Sequence, residues 1–139
     1  MPLSIVNSTA SVITRTVAVP GTGMEIRGTC SVGSLTEFSV RIVSGTSGFD
    51  YHADVQYTGP ANSGFRNANG SLAFLPAGYN QLSWHSNAGT FNAAAIGLST
   101  GTITAHILVA RDATTFTVDA YVFGSGTNCT IQAQATPSG

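Results

Sequence analysis

Charge is the scarcest property of this 139-residue sequence, because only 8% of its residues are charged and lysine is missing altogether. A typical soluble protein has about 25% charged residues. Five arginines and six acids give a net charge of −1. So few cations provide neither the basic stripe that neutralises nucleic-acid phosphates nor the basic cluster that binds an anionic membrane. We therefore predict no nucleic-acid partner and no membrane partner.

The sequence also lacks long hydrophobic runs and the familiar catalytic motifs. No segment approaches the roughly 20 apolar residues of a membrane-spanning helix, and residues 3–6 are too short for the core of a signal peptide. The zinc-protease motif, the phosphate loop, the dinucleotide fingerprint and the Gly-x-Ser-x-Gly elbow are missing as well. We therefore expect a non-enzymatic protein that requires no cofactor.

What the sequence does contain is apolar residues together with Gly, Ser, Thr and Asn. Hydrophobic residues make up 42% of the chain, which is enough for the core of one ordinary domain. Thr, Ser, Asn and Gly suit strands and turns better than exposed helix faces. We predict a single β-domain over residues 1–139, with residues 136–139 as a frayed tail.

Hydrophobic side chains recur with a period of two, which is the signature of half-buried strands. The alternation is clearest in five segments: Met24–Val32, Glu37–Ile42, Phe49–Tyr57, Thr102–Val109 and Phe116–Phe123. Six weaker segments are Ser4–Asn7, Val12–Val19, Ser71–Leu75, Gln81–His85, Thr90–Leu98 and Cys129–Ala133. The alanine-rich stretch Asn92–Leu98 is the only helix candidate, and we interpret it as strand because Gly89 and Gly97 bracket it. Turn residues separate the segments, so we predict an antiparallel β-sandwich, jelly-roll-like, with about ten strands.

The two cysteines, Cys30 and Cys129, lie near opposite ends of the chain. A disulfide between them would close a loop of about 100 residues and stabilise the fold by roughly 4–5 kcal/mol in the chain-entropy model. Two buried free thiols are the interpretation that we favour, and a disulfide remains the alternative because geometry decides between them.

The densest polar constellation is Asp50, His52 and Asp54, which share one face of a predicted strand. Two carboxylates and an imidazole are potential ligands of a divalent metal, particularly with His85 or His106 from a neighbouring strand. We favour a solvated strand face and predict no metal, and a metal site or a subunit interface is the alternative.

Aromatic residues suggest a different use of the surface, because sugar rings stack on exposed Trp and Tyr. Candidate platforms are Trp84 with Tyr79, and Tyr121 with Phe123. Core packing is the simpler explanation for most aromatics. Tyr121 and Phe123, however, lie on the face opposite Phe116, so their strand is either buried in the middle of the sandwich or in contact with another subunit.

The strand count and the Gly/Ser/Thr/Asn surface resemble the compact β-sandwich knobs, head fibres and decoration proteins of bacteriophage particles. The segment Phe74-Leu75-Pro76-Ala77-Gly78-Tyr79 is similar, with shorter spacing, to a core motif of C1q/TNF-like jelly rolls. This resemblance implies a symmetric homo-oligomer, often a trimer, with aromatic residues near its axis.

We accordingly expect a non-enzymatic structural protein of the virion surface that contacts itself and other virion proteins. A glycan-binding, lectin-like module is the main alternative, with a cytoplasmic or extracellular location. A fragment of an adhesin and a jelly-roll metalloenzyme are further alternatives.

Overall fold

The computed structural model describes residues 1–42, 49–60, 63–67, 72–74, 77–86, 91–111 and 114–137. Within these ranges the chain forms twelve β-strands and no helix. The strands are β1 Pro2–Ser8, β2 Ile13–Val19, β3 Met24–Cys30, β4 Thr36–Ile42, β5 Phe49–Thr58, β6 Gly64–Asn67, β7 Leu72–Phe74, β8 Ala77–Ser86, β9 Phe91–Leu98, β10 Gly101–Arg111, β11 Thr114–Gly124 and β12 Cys129–Pro137. The described part of the chain therefore offers no helix long and apolar enough to cross a membrane.

The strands form two six-stranded sheets, which we call the front sheet (β1-β12-β11-β10-β5-β8) and the back sheet (β2-β3-β4-β9-β6-β7). All the strand pairs are antiparallel. The predicted antiparallel β-sandwich is thus confirmed. The chain crosses between the sheets at most connections from β4 to β10, as in jelly rolls. By contrast, β2–β4 and β10–β12 are meanders that stay within one sheet.

The core lies between the two sheets and receives every second side chain of their central strands. In β3 the exposure alternates strictly between buried and half-buried residues, and β11 alternates in the same way over most of its length. The largest fully buried side chains include Phe38 and Met24 from the back sheet and Phe116 and Ile103 from the front sheet. Both sheets contribute to one hydrophobic core, so the period-two pattern fixes which side chains face inward.

Cys30 of β3 and Cys129 of β12 form a disulfide that joins the back sheet to the front sheet. The favoured expectation of two free thiols was therefore wrong. The Cα atoms of the two cysteines are 5.7 Å apart, whereas packed sheets are about 10 Å apart. Close approach at this corner requires a small neighbour, and Gly28 provides it. A Cβ atom on Gly28 would lie 3.0 Å from Ile131 Cγ2 and 3.1 Å from Leu3 Cδ2.

Local expectations differ from the structure in two respects, the number of strands and the C-terminal tail. The described residues contain twelve strands rather than about ten, and β6 was not anticipated. Thr136 and Pro137 belong to β12 rather than to a frayed tail, and residues 138–139 lie outside the described residues. The alanine-rich segment forms strand β9, as predicted. Of the segment Phe74 to Tyr79, residues 75–76 lie outside the described residues, and its ends belong to β7 and β8.

Candidate functional site

The outer face of the front sheet presents side chains in straight rows that run across the strands. The register of β10, β11, β12 and β1 aligns two such rows. The first row is Thr104, Tyr121, Gln132 and Ser4, and the second row is His106, Asp119, Gln134 and Pro2. All eight residues are exposed. Because residues two apart on a strand project on the same side, the two rows stand about 7 Å apart.

Between these rows lies a groove of about 530 Å³. The intervening row consists of Ala105, Ala120, Ala133 and Leu3, which are buried and belong to the core. Their side chains point inward, so the backbone of the sheet forms the floor of the groove. We call this feature the tyrosine groove, because Tyr121 is the one aromatic residue among those that line it. Its volume is similar to that of ligand sites, about 300–1,000 Å³, but the groove is shallow and largely open to solvent.

Tyr121 is 39% exposed, which is unusual for an aromatic residue in the middle of a sheet. Phe123, two residues further along β11, is half-buried. The opposite face of the same strand carries Phe116 and Val118, which are buried in the core. The strand expected to be apolar on both sides thus has one face inside the sandwich and the other on the surface.

His106 and Asp119 form the most specific polar contact of this face. The Nδ1 atom of His106 lies 2.7 Å from Oδ1 of Asp119, and because a carboxylate only accepts, His106 donates. Their side chains remain 53% and 69% exposed, respectively. Asp119 lines the tyrosine groove, and His106 lines a second hollow of about 290 Å³ with Asp54, Gln56 and Leu108. The pair therefore forms the ridge between the two depressions and holds Asp119 in one orientation.

The predicted metal candidates Asp50, His52 and Asp54 lie on β5, a central strand of the front sheet. The backbone register pairs Asp50 with His85 of β8. His106 of β10 pairs with Gln56 rather than with any of the three candidates. Among the side chains that the structure describes, no group of three or more His, Cys, Asp or Glu could hold a metal ion.

The other aromatic platform, Tyr79 with Trp84, lies on β8 at the far edge of the same sheet. Their backbone partners on β5 are Gln56 and Tyr51. Strands β10 and β5 separate β8 from β11, so β8 lies about 14 Å from β11 across the sheet, and Tyr79 and Trp84 are themselves five residues apart along β8. The structure does not combine them into one site.

No protein-family model, curated protein or solved structure matches this chain.

Sequence reasoning found Tyr121 but missed the residues that surround it. Thr104, Gln132 and Gln134 come from β10 and β12, and only the strand register brings them beside the tyrosine. One signal was present in the sequence, because Gln132-Ala133-Gln134 alternates polar, small and polar residues. That pattern predicts that the two glutamines face solvent and that the alanine faces the core. It does not predict which strands lie next to β12.

Proposed function

We propose that this protein is a non-enzymatic structural component of a virion surface, of the phage decoration, capsid-associated or fibre-knob kind. It acts by forming a homo-oligomer, with a trimer favoured, and by contacts with other virion proteins. The observation that supports this most is the fully buried Cys30–Cys129 disulfide, which links two sheets whose surface is almost uncharged. Disulfides persist in oxidising settings, which include virion and cell surfaces, and are rare in the cytosol.

The disulfide suits a protein that must survive outside a cell. The bridge has a sequence separation of 99 residues, and a loop of that length corresponds to about 4–5 kcal/mol of stabilisation. Strand β1 is also held to β12 at its start, because the amine of Met1 donates to the carbonyl of Ala135 at 2.9 Å.

The proposed subunit contact is the side of the sandwich where β1 and β2 form adjacent open edges. Each of these strands is the outermost strand of its sheet, and the two are in contact with each other. Val6 on β1 is 57% exposed, and Val12, just before β2, is 63% exposed. Arg15 is the only charged residue of β2. Open strand edges with exposed apolar side chains and little charge favour association, and a second copy of the chain is the occupant that we propose.

Light scattering of the purified protein tests this proposal, with and without reducing agent. We expect a closed oligomer whose mass does not change when the reductant is added, because the disulfide is within one chain. The variants Val6→Asp and Val12→Asp should shift the mass toward the monomer. Leu108→Asp is the matched control, since Leu108 is also an exposed apolar residue but lies on β10, an interior strand of the front sheet away from the β1–β2 edge. A strictly monomeric wild type at all concentrations would contradict the proposal.

A further inference from the structure

We propose that the tyrosine groove is a binding site for a neutral oligosaccharide. The inference concerns the outer face of the front sheet, which adjoins the proposed subunit contact at β1, and its test is separate from the oligomer mass. It is based on the shape of the groove, on the aromatic side chain in its wall and on the absence of arginine among the residues that line it.

The groove has the length for an elongated ligand. It spans four strands, from β10 to β1, which corresponds to about 14 Å at the spacing of neighbouring strands. The residues of its two rows stand about 7 Å apart along each strand. This is the spacing of the residues and not of their side-chain surfaces, so a ligand rests on the two rows rather than between them. A short chain of saccharide rings has the length to contact both rows in this way.

The charges on the groove exclude anionic ligands. Among the residues that line it, Asp119 is the only ionised side chain, and no arginine is present. The described arginine side chains, Arg15, Arg27 and Arg41, all belong to the back sheet. A single-stranded nucleic acid requires a positively charged groove, and a phosphorylated or sulfated ligand requires arginine or lysine donors. The surface therefore suits a ligand without charge.

The aromatic and polar side chains that line the groove are suited to the apolar face and the hydroxyl groups of a sugar ring. Tyr121 offers an aromatic surface in one wall, against which the apolar face of a pyranose can stack. Gln132 and Gln134 each carry an amide that both donates and accepts, and Thr104 adds a hydroxyl. Asp119 is oriented by its hydrogen bond to His106, so an acceptor is already positioned for a sugar hydroxyl. A pre-oriented acceptor lowers the entropy cost of binding.

A glycan array with neutral, sialylated and sulfated oligosaccharides identifies the ligand, and calorimetric titration with the best neutral hit then measures its Kd. We expect binding to neutral oligosaccharides that changes little between about 0.05 and 0.5 M salt, because uncharged ligands are not screened. Tyr121→Ala should raise the Kd by about tenfold or more, since stacking and burial of the ring are both lost. Tyr121→Phe should retain most of the affinity.

Leu108→Ala is the matched control, because Leu108 has nearly the same exposure and lies on the same face outside the groove. Its Kd should equal that of the wild type, and circular dichroism checks that each variant is folded. A blank array, or binding to charged glycans alone, overturns the proposal. Binding that survives Tyr121→Ala overturns the assignment to this groove. Neither result affects the oligomer mass, so failure of this site is distinguishable from failure of the virion proposal.

Discussion

The outer faces of the two sheets follow the same alternating pattern and yet are different surfaces. On the front sheet the outward residues of β10 and β11 include exposed His106, Asp119 and Tyr121. On the back sheet Ser39 and Ala95, which are register partners between core positions, are 3% and 1% exposed. The alternating sequence pattern therefore predicts which side chains share a face of the sheet, but it does not predict whether the outward face is exposed to solvent.

The charged groups of the two faces differ in the same way. Glu25 on the back sheet accepts from Arg41 Nη1 at 2.8 Å and lies 3.7 Å from Arg27 Nη2. The side chains of Glu25 and Arg41 are only 12% and 16% exposed. The His106–Asp119 pair of the front sheet is more than half exposed. The Glu25–Arg41 pair of the back sheet is thus placed to contribute to stability, whereas the His106–Asp119 pair of the front sheet is left available for contacts.

Removing the disulfide that joins the two sheets should have the largest effect on the free energy of unfolding. The double variant Cys30→Ala/Cys129→Ala should lose about 4–5 kcal/mol of the free energy of unfolding, because the unfolded chain regains the freedom of a long loop. Urea denaturation of the variant and the wild type, without reductant, measures the difference. A loss below about 1 kcal/mol would show that the bridge does not constrain the unfolded chain.

The second prediction compares the two ionic pairs directly. Glu25→Gln should cost about 1.5–3 kcal/mol, because it removes a charge-assisted hydrogen bond and leaves Arg41 nearly buried without its counter-charge. Asp119→Asn should cost no more than about 1 kcal/mol, because exposed pairs contribute little to stability. Urea denaturation of both variants measures the two values under the same conditions. Equal losses of stability in the two variants would contradict the conclusion that the Glu25–Arg41 pair stabilises the fold more than the His106–Asp119 pair.

The third prediction concerns the packing between β9 and the start of β4 in the back sheet. A Cβ atom on Gly97 would lie 2.9 Å from the Thr36 carbonyl oxygen and 3.2 Å from Leu35 Cδ1. Because a backbone atom cannot move aside cheaply, Gly97→Ala should destabilise the protein by about 1–3 kcal/mol. Gly126→Ala is the control, since nothing lies within 4 Å of its Cβ position. Thermal unfolding followed by circular dichroism measures both variants, and a neutral Gly97→Ala would mean that the approach of Gly97 to Thr36 and Leu35 is not a constraint on the fold.

The sequence predicted the fold class and the inward faces because these depend on local alternation. The strand at residues 64–67 was missed, since it is only four residues long and starts at a glycine, which weakens a strand. The Cys30–Cys129 bond and the groove beside Tyr121 depend on strand order. Strand order is a non-local property, and many pairings satisfy the same alternation.

The smallest effects on stability are expected from substitutions on the front sheet, at Gln132 and Gln134. Both are exposed register partners of β11 and β1 residues, so replacement by Ala should change the free energy of unfolding by no more than about 0.5 kcal/mol. Urea denaturation at two protein concentrations measures this change. A larger loss that grows with protein concentration would mean that another copy covers this face, because a binding partner stabilises the folded state by mass action. The front sheet would then be a subunit contact and not a free surface, and the comparison between the two faces would be reversed.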